Sequence, residues 1–199
     1  MSNFWNERYS QREYAYGKSP NEFFQSIIRA LPAGKILLPC AGEGRDAVYA
    51  ATLGWKVDAF DWSEAGKEKA LALAGEQNVS IQYEVLDAEN FTADSEQYDL
   101  ISLTYVHLPA SFRSTFYKNL LASLKPGGRI SAELFSPEQL RYSSGGPKER
   151  SLLQSSEMLR EEFASLEILG CYDTEIVLNE GPFHQGKAAV ARFAGKKII

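Results

Sequence analysis

Two glycines and two aspartates in this 199-residue chain have the spacing expected around a nucleotide ligand. Gly42 and Gly44 follow a short apolar run, where a glycine backbone can turn tightly and let a ligand approach. Asp61 comes 19 residues after Gly42, and from there a carboxylate can accept both hydroxyl protons of a ribose. Asp87 ends the next apolar run, and it or the backbone of Ala88 can meet an adenine. Together these positions predict an adenosine-containing ligand.

Each position also has a simpler explanation, and the ligand has more than one possible identity. A glycine pair between a strand and a helix is often only a tight turn, and a strand-end aspartate often caps a helix. The stretch "GEGRDA" also fits the G-x-G-x-x-A fingerprint of dinucleotide sites. A pyrophosphate beside Glu43 would cost on the order of 1 to 4 kcal/mol, whereas S-adenosylmethionine brings a sulfonium and an ammonium. Because Arg45 could offset Glu43, a short NAD(P)-dependent reductase stays open as an alternative.

Alternating strands and helices must position these residues. Apolar runs and helical periodicity alternate through roughly a hundred residues, which predicts right-handed crossovers and an open parallel sheet. The predicted strands are "KILLP", "KVDAFD", "SIQYEVLD", "YDLISLTYV" and "RISAELF", and the predicted helices are "PNEFFQSIIRAL", "RDAVYAATLG", "EAGKEKALALAGEQ" and "FRSTFYKNLLASL", the last ended by "KPGG". Ser63 is predicted to cap the third of these helices.

The last third of the chain has a different pattern. The polar stretch "SPEQLRYSSGGPKERS" is too irregular for a strand and is predicted to cover the site before the helix "SSEMLREEF". Two strand-like runs, "LEILGCYDTEIVL" and "KAAVARFAGKK", then predict an antiparallel hairpin. The connection "NEGPFHQG" places His184 on a loop.

Composition limits the class of partner. The net charge is -5 and the sequence pI is near 5.2, which argues against a nucleic-acid surface. Cys40 and Cys171 lack the spacing of a metal or redox site, so we expect no metal and a reduced cytoplasmic location. No secretory signal or membrane-spanning run is recognisable. We therefore expect a small-molecule partner, no nucleic acid, no membrane, and a monomer or homodimer.

Several motifs together resemble the class I S-adenosylmethionine-dependent methyltransferases. Within that class the chain is similar to the small-molecule branch that includes the tellurite-resistance and thiopurine methyltransferases. The motifs are "FWNERY", "YAYGKSPNEFF", "GEGRDAVYAATLGWKVDAFDWS", "YEVLDAE", "YDLISLTYVHLP", "LKPGGRI" and "EGPFHQGKAAV". The resemblance implies an α/β, Rossmann-like fold with a seven-stranded, mostly parallel sheet, an antiparallel C-terminal strand and helices on both faces. It also implies one domain over residues 1–199, with 1–19 as an N-terminal lid.

The resemblance assigns cofactor contacts along the strand ends and the lid. The glycine loop would line the methionine part, Asp61 the ribose, and Trp62 and Asp87 the adenine. The expected residues that contact S-adenosylmethionine, or its product S-adenosylhomocysteine, are Tyr9, Tyr16, Cys40, Ala41, Gly42, Glu43, Gly44, Arg45, Asp61, Trp62, Ser63, Asp87, Ala88, Glu89, Thr104 and Tyr105. The chain departs from the acid-x-Gly-x-Gly-x-Gly pattern, with Leu38 at the acidic position and Cys40 at the first glycine. The methionine ammonium then needs other partners, such as backbone carbonyl groups near Cys40 and Thr104, or Glu43.

The expected activity is methyl transfer to a small-molecule acceptor, such as a thiol or a selenium or tellurium oxyanion. A soft anion needs little help from a base, whereas a hydroxyl or amine needs one. The chain has only two histidines, so the candidate catalytic residues are His184, His107 and Tyr105, with Glu180 as a neighbour. A catalytically silent S-adenosylmethionine-binding module is the other alternative.

Overall fold

The computed structural model describes residues 2–92 and 94–198. Met1, Ala93 and Ile199, which the predicted single domain also includes, lie outside the described residues. The strands are β1 (Lys35–Pro39), β2 (Lys56–Asp61), β3 (Gln82–Val85), β4 (Tyr98–Thr104), β5 (Leu124–Phe135), β6 (Leu166–Glu180) and β7 (His184–Lys197). The helices are α1 (Ser2–Tyr9), α2 (Glu22–Arg29), α3 (Arg45–Thr52), α4 (Glu64–Glu76), α5 (Ala110–Ser123) and α6 (Ser156–Glu162).

The strands form one seven-stranded sheet in the order β3-β2-β1-β4-β5-β7-β6. Strands β1 to β5 pair in parallel, and β7 lies antiparallel between β5 and β6. The order reverses direction at β1 and β4, which is the point where ligands bind in open α/β sheets. The predicted fold class, a mostly parallel Rossmann-like sheet with an antiparallel C-terminal strand, is confirmed.

Alternate residues of the central strands bury two separate apolar layers. In β1, Ile36 and Leu38 pack with residues of α2, α3 and α4, while Leu37 packs with residues of α5 and α6 on the opposite face. Successive side chains of a strand point to opposite faces, so a strand buried on both sides is apolar at nearly every position. Helices therefore cover both faces, as predicted.

Several boundaries differ from the predictions, and three of them have a clear local reason. Helix α2 begins after Asn21, whose side chain accepts a hydrogen bond from the backbone N–H of Phe24 (2.9 Å), instead of at Pro20. Strand β5 begins at Leu124 and includes the "KPGG" stretch, where the pairing with β4 shifts register. The predicted loop position of His184 is wrong, because β6 runs to Glu180 and β7 begins at His184, with only residues 181–183 between them.

The polar segment after β5 carries two short 3-10 helical turns, Pro137–Arg141 and Arg150–Leu152. Ser63 caps α4 as predicted, with its hydroxyl oxygen accepting from the backbone N–H of Gly66 (3.1 Å). Within the described ranges, no helix combines the length and the apolar character needed to cross a lipid bilayer.

Candidate functional site

A cavity of about 810 Å³ opens at the carboxyl ends of the parallel strands. We call its two walls the loop side and the hairpin side. The loop side consists of residues 39–43, 61–62 and 86–89. The hairpin side consists of residues 104–107, Phe135 and His184, with Tyr16. The predicted site residues that line the cavity are Tyr9, Tyr16, Cys40, Ala41, Gly42, Glu43, Arg45, Asp61, Trp62, Asp87, Ala88, Glu89, Thr104, Tyr105, His107 and His184, whereas Gly44 and Ser63 do not line it.

The two loop glycines are required by packing within the protein. Both have positive φ, +54° at Gly42 and +80° at Gly44. A Cβ at Gly42 would lie 2.7 Å from the Tyr9 hydroxyl, and one at Gly44 would lie 2.4 Å from the Ala70 Cβ on α4. Gly42 therefore lets the N-terminal segment close against the loop, while Gly44 lets α3 and α4 approach each other.

Asp61 ties the glycine loop to the start of α4. Its Oδ2 accepts a hydrogen bond from the Gly42 N–H (3.0 Å) and its Oδ1 accepts one from the Ser63 N–H (2.9 Å). Burial raises the pKa of Asp61, although these N–H groups and that of Trp62 favour the carboxylate. The two carboxylate oxygens offer about four lone-pair sites in all, so acceptor capacity remains for a ligand hydroxyl. Trp62 is 38% exposed beside it, so its ring has a free face in the cavity.

Asp87 closes the other end of the loop side. Its Oδ1 accepts from the Glu89 N–H (3.0 Å), which starts the short 3-10 turn Ala88–Asn90. Ala88 is buried and its small side chain forms part of the cavity wall. Among the described residues, none forms a hydrogen bond with the second carboxylate oxygen of Asp87, so this oxygen can bind a planar ligand group.

Glu43 contacts the N-terminal segment and α4 through both carboxylate oxygens. Oε2 accepts from the backbone N–H of Ala15 and Oε1 accepts from Lys69 Nζ, each at 2.7 Å. Burial raises the pKa of Glu43, against the opposing effect of Lys69. Arg45 adds a second tie, since its Nη1 donates to the Tyr16 carbonyl oxygen (3.0 Å). These contacts hold the N-terminal segment across the cavity.

Cys40 and Leu38 occupy the positions where the chain departs from the broad pattern. Cys40 has φ +51°, so a non-glycine residue fills a left-handed position. Burial and the nearby carboxylates of Asp61 and Asp87 raise the pKa of its thiol well above the ordinary value. Cys40 is thus a neutral thiol at pH 7, which is typical of a small apolar wall residue.

His107 has both ring nitrogens engaged by backbone groups. Nδ1 donates to the Leu152 carbonyl oxygen (2.9 Å) and Nε2 accepts from the Phe135 N–H (3.3 Å). Burial lowers the pKa of His107 to about 4, so the ring is neutral at pH 7. Since its acceptor lone pair is used inside the protein, this geometry favours a structural role.

His184 differs from His107 in having one nitrogen without a protein partner. Nδ1 lies 3.0 Å from Glu180 Oε2, whereas no residue that the structure describes forms a hydrogen bond with Nε2. The ring packs against Tyr16 (4.4 Å between centroids) and edge-on against Tyr105 (4.8 Å). Burial lowers the pKa of His184, although Glu180 opposes that effect. A base and the group that orients it are therefore in contact at the cavity wall.

Tyr105 belongs to a buried polar network that sequence reasoning missed. Its hydroxyl donates to Glu133 Oε1 (2.9 Å), which also accepts from Asn21 Nδ2 (2.6 Å), while Arg192 Nε donates to Glu133 Oε2 (2.6 Å). Burial and the Glu133 carboxylate raise the pKa of Tyr105 well above its ordinary value, so it stays a neutral phenol. Asn21 could have been predicted as a helix cap, but no local pattern connects it to Glu133.

Asp46 is a second missed residue on the cavity wall. It is buried in the first turn of α3, where its Oδ1 accepts from the Asn21 N–H (2.8 Å). Burial raises the pKa of Asp46, while Arg45 and a hydrogen bond from Thr104 act in the opposite direction. Asp46 and the apolar Leu38 line the same cavity, so the cavity wall has an acid that comes from α3 instead of from β1.

Arg141, in the polar segment after β5, pairs with Glu138 at the surface (2.9 Å) and does not line the cavity. Among the residues that the structure describes, no group of three or more His, Cys, Asp or Glu side chains is arranged to hold a metal ion.

Part of the chain matches a known family model. Residues 36–128, a little under half of the chain, match the family model described as a methyltransferase domain. The prediction of an S-adenosylmethionine-dependent methyltransferase agrees with this match over residues 36–128. The match covers the loop side of the cavity and ends before the hairpin. No curated protein matches the chain.

Solved structures resemble the chain over almost its whole length at low sequence identity. A protein studied for the conversion of a disulfide bond into a thioacetal group during echinomycin biosynthesis superposes with a TM-score of 0.78 at 18% identity, covering 100% of this chain and 92% of that one. TehB from Haemophilus influenzae gives 0.74 at 19% identity, covering 98% and 66%. A SAM-dependent methyltransferase from Methanosarcina mazei gives 0.67 at 15% identity, covering 91% and 99%. At such identities the likeness shows the fold.

Proposed function

We propose that the chain transfers a methyl group from S-adenosylmethionine to a small-molecule acceptor inside the 810 Å³ cavity. One observation carries this proposal: a single cavity is lined by Asp61 and Ala88 on one wall and by His184 on the other, and the described residues leave one ring nitrogen of His184 without a hydrogen-bond partner. A cavity of this size is within the range of small-ligand sites. It has room for a nucleoside on the loop side and an acceptor on the hairpin side.

On the loop side, each residue has a distinct role in binding the cofactor. Asp61 accepts the ribose hydroxyl protons through its remaining lone pairs, and the exposed face of Trp62 packs beside the adenine. Asp87, Ala88 and Glu89 bind the adenine edge. The residues fit an adenosine group because the cavity wall there is both apolar and supplied with carboxylate acceptors.

The methionine part lies between the glycine loop and Thr104. When bound, the cofactor supplies a methyl group carried on a sulfonium. Glu43 already contacts Lys69 and Ala15, so we assign the methionine ammonium to backbone carbonyl groups near Cys40 and to Thr104, beside the buried Asp46 carboxylate. The chain thus replaces the missing acid at Leu38 by an acid from α3.

Residues 1–19 act as a lid, as the sequence predicts for this class. The described part places Tyr9 and Tyr16 on the cavity wall and anchors the segment through Glu43, Arg45 and Asn6. A closed lid excludes water and holds the acceptor about 3 Å from the methyl carbon.

The acceptor class and the setting are part of the same proposal. The cavity wall is mainly apolar and aromatic, which suits a small thiol or another soft nucleophile better than a macromolecule. Both cysteines are free, and the net charge is -5, which favours a cytoplasmic protein that does not bind nucleic acid. We propose a monomer or a homodimer.

Two measurements on the wild-type chain test the function. Calorimetry should show one molecule of S-adenosylhomocysteine bound per chain and no binding of NADH. Transfer of a radiolabelled methyl group should then be found in a panel of thiols, phenols, selenite and tellurite. Binding of NADH alone would favour the reductase alternative, and binding of S-adenosylhomocysteine with no turnover of any acceptor would favour the silent binding module.

A further inference from the structure

Glu180 holds two cationic or protonated donors on one carboxylate oxygen. Arg45 Nη2 and His184 Nδ1 each lie 3.0 Å from Glu180 Oε2, and Asn21 Nδ2 donates to Oε1 (3.3 Å). All three charged or titratable side chains are buried, with 10% of Arg45, 13% of Glu180 and 6% of His184 exposed. Such a network has few alternative arrangements, because each buried polar group would lose its partner on moving.

The carboxylate determines which nitrogen of His184 carries a proton. A carboxylate can only accept, so Nδ1 must be the protonated nitrogen and Nε2 must hold the lone pair. Gly145 lets the segment after β5 pack closely against this edge of the ring, since a Cβ there would lie 3.1 Å from Nε2 and 2.5 Å from the ring carbon Cδ2. His184 lines the cavity, and within the described residues its Nε2 lone pair has no hydrogen-bond partner.

We propose that the acceptor is a neutral X–H nucleophile, a thiol or a phenol-type hydroxyl, whose proton passes to His184 Nε2, and that Glu180 and Arg45 position His184 for this step. The inference rests on the proposed function and narrows its substrate class. The acceptor lone pair forms the bond to the methyl carbon as the carbon–sulfur bond breaks, leaving its electron pair on sulfur. The proton ends on Nε2 and is then lost to solvent. A preformed selenium or tellurium anion would not use this arrangement.

The charges around His184 keep it ready to accept a proton at neutral pH. Burial lowers the pKa of His184, the Glu180 carboxylate raises it, and Arg45 lowers it again. An unopposed carboxylate would hold the ring as an imidazolium, which has no lone pair to use. The titratable groups that face or influence the ring are Glu180, Arg45, Arg8, Tyr16, Tyr105 and His107.

Arg45 is thus a positioning residue in this inference, although the sequence predicts it as a cofactor contact. It is the first residue of α3, directly after the glycine loop, and its other nitrogen donates to the Tyr16 carbonyl oxygen. One guanidinium therefore joins the loop, the lid and the base. Closing the lid and presenting the base are parts of the same arrangement.

Nuclear magnetic resonance tests the positioning without any acceptor. The chain has only two histidines, so a His107→Gln variant assigns the remaining ring signals to His184. We expect the neutral ring protonated on Nδ1 at pH 7. Arg45→Gln should raise the pKa of His184 and Glu180→Gln should lower it, while Arg45→Lys, which keeps the charge, should leave it close to the wild-type value. A ring protonated on Nε2, or one whose pKa is unchanged in both charge variants, would overturn the inference.

Kinetics test the substrate class with two thiols of similar size. One is protonated at the assay pH (phenylmethanethiol) and the other is ionised (4-nitrobenzenethiol). His184→Gln should lower kcat about 100-fold or more on the protonated thiol and less than about 5-fold on the ionised one. The acid limb of the wild-type kcat profile should move to higher pH in Arg45→Gln. Leu159→Ala, a buried position on α6 away from the cavity, controls for general destabilisation and should move neither quantity.

The outcomes separate this inference from the proposed function. Equal losses on both thiols, with methyl transfer intact in the wild type, would overturn the inference and leave the function standing. Absence of S-adenosylhomocysteine binding, with the expected His184 tautomer and charge effects, would count against the function and leave the positioning standing.

Discussion

The loop side and the hairpin side of the cavity are held together by different interactions. On the loop side, carboxylate and hydroxyl groups bond to backbone, as in Asp61 to Gly42 and Ser63, and Tyr83 to the Gly42 carbonyl oxygen (2.5 Å). On the hairpin side, His184 contacts the Glu180 carboxylate, which also pairs with Arg45 of α3. Backbone bonds fix a shape, whereas coupled side-chain charges set which atoms carry protons. We therefore expect loop-side changes to alter cofactor binding and hairpin-side changes to alter turnover.

The largest expected effect on binding comes from Asp61→Ala. The two ribose hydroxyls would lose the charged group to which they donate hydrogen bonds, which should weaken S-adenosylhomocysteine binding about 100-fold. Calorimetry checks this result, with circular dichroism to confirm folding, since the Gly42 and Ser63 N–H groups also lose their acceptor. The matched hairpin-side variant His184→Gln should stay within about 2-fold of the wild-type affinity. Equal losses in both variants would remove the distinction between the two sides.

A smaller effect, on the pH dependence of stability, tests the burial of His107 on the hairpin side. The pKa of His107 is near 6.5 in the unfolded chain and about 4 in the folded protein. Burial of the neutral ring therefore contributes its full stabilisation above pH 6.5. That stability is lost as pH falls from about 6.5 towards 4. Between pH 7 and 4.5 the wild type should lose about 2.5 kcal/mol more unfolding free energy than His107→Gln. Urea unfolding at both pH values measures the difference, and parallel losses in the two proteins would contradict a buried neutral His107.

A third change tests the anchoring of the lid. Glu43→Gln removes the ion pair with Lys69 and weakens the bond from Ala15. We expect about 10-fold weaker cofactor binding and faster proteolysis within residues 1–19, because breaking a buried ion pair leaves a partner charge uncompensated. Lys125→Gln, which breaks a half-exposed ion pair with Asp99 outside the lid and the cavity, is the control and should change neither quantity. Unchanged proteolysis in Glu43→Gln would show that other contacts hold the segment.

The smallest expected effect comes from a residue that belongs to neither side of the cavity. Arg141→Ala removes an exposed ion pair with Glu138, so it should change the unfolding free energy by less than about 0.5 kcal/mol. Its kcat on any accepted substrate should equal that of the wild type. A selective rise in KM for anionic acceptors would show that Arg141 contacts the acceptor.

The two sides also differ in what the sequence could reveal. Asp61 ends β2 and Asp87 follows shortly after β3, so apolar periodicity alone places them on one edge of the sheet. The hairpin side depends on contacts between distant positions, such as Asn21 with Glu133 and Glu180, which lie 112 and 159 residues apart. His184 was predicted to be functional yet was placed on a loop, because the glycine and proline before it suggest a longer turn than the three residues observed. The close packing of Gly42 against Tyr9 and of Gly44 against Ala70 could not be predicted from a local pattern either.

A crystal structure with S-adenosylhomocysteine tests the central claim most directly, through the position of the ligand sulfur. We predict that the adenine lies at Ala88 and that the ribose hydroxyls bond to Asp61. The sulfur should face His184 Nε2 across a gap that one acceptor atom can fill. A ligand bound with its sulfur directed away from His184, or bound outside the cavity, would contradict it.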